Sequence, residues 1–142
     1  MKYFYFTLTI FLASCASTQT LPIQKSQYPE LDQRSCEVLE LGNAAYMAAN
    51  YRKALEIFKG VEEFDRNGRG LCTGAVYATM ASSWTIIGNS LLSTNPQLAA
   101  AHYKEASLYN RAFAYAVACK SGECDNAKTF WSPDRITFWR TP

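Results

Sequence analysis

A single histidine, His102, stands in the 142 residues. With so little imidazole, most acid–base and metal chemistry near neutral pH is excluded. No G-x-S-x-G, H-E-x-x-H or phosphate-loop pattern occurs, which removes the commonest hydrolase, metalloprotease and nucleotide-binding readings. An excess of one charge is missing as well. Fourteen Lys and Arg against twelve Asp and Glu leave a formal net charge of +2. That is no basic field for nucleic acid, and there is no acidic tail. Long apolar runs are also lacking. A membrane-spanning helix needs about 20 apolar residues, and the longest run, "YFYFTLTIFLAS" at residues 3–14, is shorter. These absences lead to the expectation of no enzyme and no cofactor.

What is present begins with that run. Met1-Lys2 precedes it with one positive charge, and "STQT" and Pro22 follow it. A charged start and a short apolar core ending in small residues describe a secretory signal peptide. The run ends in Leu12-Ala13-Ser14-Cys15, which resembles the lipobox of bacterial lipoproteins. The resemblance implies cleavage between Ser14 and Cys15 and lipid on the Cys15 thiol, the best nucleophile a side chain offers. Several acyl chains on one residue make a durable membrane anchor. Ala16 follows where an aspartate would tend to retain a Gram-negative lipoprotein on the inner membrane. The resemblance therefore implies a lipid-anchored, periplasm-facing protein of the outer membrane. The chain divides into a signal peptide at 1–14, an anchor and flexible tether at 15–28, a helical domain at 29–129 and an aromatic tail at 130–142.

Removing residues 1–14 from 142 leaves 128, and loss of Lys2 lowers the formal charge from +2 to +1. One ordinary domain of this size buries a core without help from metals. Cys36, Cys72, Cys119 and Cys124 remain, an even number that suggests disulfides in an exported chain. The favoured pairing is Cys36–Cys72 with Cys119–Cys124, and the rival joins Cys72 to Cys119. The four-residue gap in "CKSGEC" and the distance of His102 along the chain argue against zinc.

Apolar periodicity predicts four amphipathic helices, over about 29–49, 51–64, 72–92 and 96–119. Asn50 and Asn95 are placed to cap the second and fourth, with Pro96 at a first helical position. Leu41-Gly42, Tyr51, Ala54 and Phe58 resemble a tetratricopeptide repeat. In that motif a glycine and an alanine let two antiparallel helices approach closely, and large aromatics fill the space beside them. "LGN" at 41–43 returns as "IGN" at 87–89, and Ala54 and Phe58 are echoed by Ala99 and Tyr103. The expected fold is thus all-α, two antiparallel helical hairpins arranged as a repeat-like pair or as a four-helix bundle. The pattern departs from the family in its spacing: Gly42 and Gly88 are 46 residues apart, where the usual period is about 34. In the tail, Pro133 forbids helix. Phe130, Trp131, Phe138 and Trp139 read either as a cap over the last hairpin or as an aromatic docking patch.

The function this reading implies is a lipid-anchored envelope scaffold or adaptor that holds a peptide or protein in a helical groove. In the repeat family the first helix of each hairpin lines the groove. That assigns Leu39, Asn43, Tyr46 and Met47 to a partner, with Asn89 and Leu92 as counterparts. A small exclusion or immunity-type lipoprotein is the alternative. A third reading, glycan cleavage by Glu62 and Glu63, gives way to a solvated helix end that also holds Asp65.

Overall fold

The computed structural model describes residues 26–120. The expected signal peptide, Cys15, Cys124 and the aromatic tail lie outside the described residues. Helix α1 spans Pro29–Met47, α2 Tyr51–Lys59, α3 Val61–Phe64, α4 Thr73–Leu91 and α5 Pro96–Lys120. No strand occurs among the described residues, so the all-α expectation holds.

Local chemistry sets the boundaries. Pro29 opens α1, where its missing N–H costs nothing, and Glu30 and Asp32 complement the positive end of the helix dipole. The helix stops at Met47, two residues before the expected Ala49. Ala49 takes a left-handed φ of 57°, and the Asn50 amide donates back to the Ala45 carbonyl at 2.9 Å. Asn50 then caps α2, its side-chain oxygen accepting from the Lys53 amide at 3.3 Å. Asn95 repeats the device at α5, accepting from the Leu98 amide at 3.0 Å. The expected second helix is interrupted once. At Gly60 the amide bonds to Ile57 at 3.1 Å, a tighter i→i+3 turn that separates the one-turn α3 from α2.

Packing centres on α4, which lies along α5 and also touches α1 and α2, while α1 packs on α2. The core joins Ala54, Leu55, Phe58 and Val61 to Val76, Tyr77 and Met80, and to Leu108, Tyr109 and Ala112. Two glycines mark the closest helix approaches. A Cβ on Gly42 would overlap the buried Phe58 ring, and one on Gly88 would lie 2.8 Å from Tyr103 Cε1. Ala54 and Ala99 are both fully buried beside these contacts.

One face was misplaced by the sequence pattern. Apolar spacing from Ala99 and Tyr103 along α5 would turn Phe113 and Val117 inward, but both are exposed, and Ala112, Tyr115 and Ala116 are buried instead. Backbone proximity is the reason. Gly68 and Gly74 come against Ala116, where a Cβ would stand 2.7 Å and 3.6 Å from its methyl. Only a small side chain fits there, so the last turns of α5 present Ala116 rather than Val117.

Cys36 of α1 and Cys72, at the start of α4, form a disulfide with Cα atoms 4.9 Å apart. Cys119 is also disulfide-bonded, and with Cys72 joined to Cys36 the Cys72–Cys119 rival falls. Cys124, the partner expected for Cys119, lies outside the described residues.

Candidate functional site

The residues assigned to a groove fall into two groups. Leu39 and Tyr46 are half-buried and pack against the core. The Tyr46 hydroxyl shares a 2.8 Å hydrogen bond with Ser82 Oγ on α4, and its ring meets Tyr51 edge-on at 5.4 Å. Tyr46 therefore ties α1 to α2 and α4. Met47, in contrast, is 82% exposed. Asn43 is half-buried between these groups. On α4, the Asn89 side-chain oxygen accepts from the Tyr103 hydroxyl at 2.7 Å, so this amide is engaged by α5. Leu92 is exposed just past the end of α4. Asn43 and Met47, four residues apart on one face of α1, are the assigned side chains with surface to offer.

The acidic cluster at the end of α3 differs from the solvated helix end expected. Asp65 is only 3% exposed. Its carboxylate accepts from the Arg69 amide at 2.9 Å, from the Gly70 amide at 2.7 Å and from the Thr73 hydroxyl. The sequence marks a turn here, but the turn's purpose is to wrap backbone donors around one carboxylate. Glu62 accepts from the buried Tyr109 hydroxyl, and Glu63 is exposed. Burial, with Glu62 and Asp65 nearby, pushes the Tyr77 phenol well above its ordinary range. Asp32 extends the same logic, accepting from the Leu71 amide at 2.7 Å. These carboxylates hold loop and core together.

A second concavity was not legible in the sequence. A cavity of about 370 Å³ is lined by Lys59, Trp84, Ala101, His102 and Glu105. A smaller one of about 190 Å³ shares Lys59 and Trp84 and reaches Arg52 and Glu56. Trp84 stacks on His102 with ring centroids 4.9 Å apart. Trp84 Nε1 and His102 Nε2 are buried without a hydrogen-bond partner among the described residues. A lone histidine among alanines on a helix is by default a structural one with its hydrogen bonds satisfied. His102 is structural in its stacking, but that nitrogen is unsatisfied. The sequence signal was an aromatic on α4 and an imidazole on α5, and only tertiary packing puts one above the other. Among the described residues no cluster of three or more metal-ligating side chains occurs, and no helix is long and apolar enough to cross a membrane.

Comparisons with protein-family models, with curated proteins and with solved structures find no match to this chain.

Proposed function

We propose that the chain is a lipid-anchored adaptor of a bacterial cell envelope that holds a protein or peptide partner along α1. On this reading Cys15 carries the lipid and the helices form two repeat-like hairpins, α1 with α2 and α4 with α5. The observation that carries it is the recurring helix contact. Gly42 meets Phe58 in the first pair and Gly88 meets Tyr103 in the second, with a fully buried alanine beside each. In repeat proteins of this kind the first helix of a pair presents its outer face to a ligand, and Asn43 and Met47 lie on α1. Tyr46 serves that surface from below, holding α1 against Ser82.

Two experiments test the halves of the proposal separately. Labelled palmitate should enter the wild-type protein and not Cys15→Ser, which should accumulate as a precursor retaining residues 1–14. Equal labelling of both would sink the anchor. Asn43→Ala combined with Met47→Ala should weaken capture of the partner after envelope cross-linking while changing stability by only about 0.5 kcal/mol per site. Unfolding of that double variant would show the two side chains to be core.

A further inference from the structure

The concavity at Trp84 takes side chains from three helices and none from α1. Arg52, Glu56 and Lys59 come from α2, Trp84 from α4, and His102 and Glu105 from α5. Its two hollows share Lys59 and Trp84, and the larger, at about 370 Å³, has the size of a small-molecule site. The Lys59 ammonium lies 6.0 Å from the centre of the Trp84 ring, so a cation stands over the shared wall.

That wall holds two polar atoms that the fold does not use. Trp84 Nε1 and His102 Nε2 are buried with no partner among the described residues. Such groups are rare in folded proteins, because each has given up its hydrogen bonds to water. Two phenylalanines would stack here without that loss. An indole and an imidazole in their place point to a partner that enters from the cavity.

The donor and acceptor set selects the partner. Trp84 Nε1 only donates, so an ammonium or guanidinium cannot answer it, and Lys59 and Arg52 repel such a cation. A carboxylate or phosphate would meet Glu56 and Glu105 on the same rim. His102 Nε2 donates or accepts according to its tautomer. A hydroxyl does both and carries no charge for either pair to oppose. A ring with hydroxyls around an apolar face also fits a cavity with aromatic walls and a few polar groups.

We propose that this groove between α2 and α5 binds an uncharged saccharide. Trp84 Nε1–H donates to a hydroxyl of the first sugar ring, and a hydroxyl of the same ring pairs with His102 Nε2. Lys59 and Glu105 meet further hydroxyls at the rim, and the smaller hollow takes the next unit beside Arg52 and Glu56. Both nitrogens are covered in this structure, so the indole and imidazole edges turn toward the cavity as the sugar enters. Because no lining residue belongs to α1, the site stands whether or not α1 holds a partner.

The test uses the full chain, labelled with nitrogen-15 and kept in a zwitterionic detergent that carries no sugar. Trp84→Phe identifies the Trp84 indole signal among those of the three tryptophans. Titration with maltotriose and with the trisaccharide of N-acetylglucosamine should move that signal saturably for at least one of them. His102→Phe keeps a ring against Trp84 and removes the nitrogen, and should weaken binding about tenfold. Lys59→Ala, at an exposed position, should weaken it several-fold, with helicity unchanged. No saturable movement with either sugar would overturn the proposal. Unchanged affinity in both variants would also overturn it, since the sugar would then sit elsewhere. Movement with acetate and with neither sugar would replace the saccharide by a carboxylate.

Discussion

Asp65 converts the stretch between α3 and α4 into a fixed loop by offering both carboxylate oxygens to amides that curl back toward it. Gly68, at φ 70°, makes the curl possible, since that region is costly for residues with a Cβ. Asp65→Ala would leave the part-buried Arg69 amide, the buried Gly70 amide and the Thr73 hydroxyl without their acceptor. Such losses reach roughly 2–4 kcal/mol, readable in urea unfolding. An effect within 0.5 kcal/mol, an ordinary surface value, would mean that water replaces the carboxylate. Ala49 is the opposite case, an exposed alanine held at φ 57°. Ala49→Gly should raise stability by about 0.5–1 kcal/mol, because glycine takes the left-handed cap without strain. The break between the expected second and third helices was legible in the sequence, whereas the end of α1 was not, since nothing in the sequence marks Ala49 for a left-handed φ. The burial of Asp65 was not, because an acid at a helix end looks the same whether it faces water or turns inward.

The same division holds for the helices. Caps at Asn50 and Asn95 and the close approach at Gly42 were readable because each depends on residues that meet within one turn or one helix pair. The inward face of α5 was not, since Ala116 is selected by the backbone of Gly68 and Gly74, which lie far back along the chain. The two glycine contacts also differ in give. Phe58 is fully buried and has nowhere to move, whereas Tyr103 is half-buried at the surface. Glycine to alanine in a helix gains about 1 kcal/mol in propensity, and overpacking costs about 1–3 kcal/mol or more. Gly42→Ala should therefore lower the melting temperature clearly, and Gly88→Ala should leave it within a few degrees. Equal losses at both positions would show that the two contacts are equally rigid.

Across the whole molecule, the Cys36–Cys72 bridge ties the first helix to the central one over a sequence separation of 36. Its loss, by reduction or by replacing both cysteines with serine, should cost about 3–4 kcal/mol on the loop-entropy scale. No change in denaturant midpoint would mean that the α1–α4 packing already holds those ends together. The pairing was open in the sequence, and the path of α4 against α1 decided it. The candidate surface was only partly readable: Met47 is as free as its position on α1 suggested, while Tyr46 and Asn89 are engaged by Ser82 and Tyr103. A photo-cross-linking residue at position 47, in cells making the full chain, tests the adaptor most directly. The account predicts one discrete higher-mass adduct, lost when Cys15→Ser prevents anchoring and absent when the cross-linker replaces Lys104 on the exposed side of α5. No adduct at position 47, or the same adduct from position 104, would contradict it.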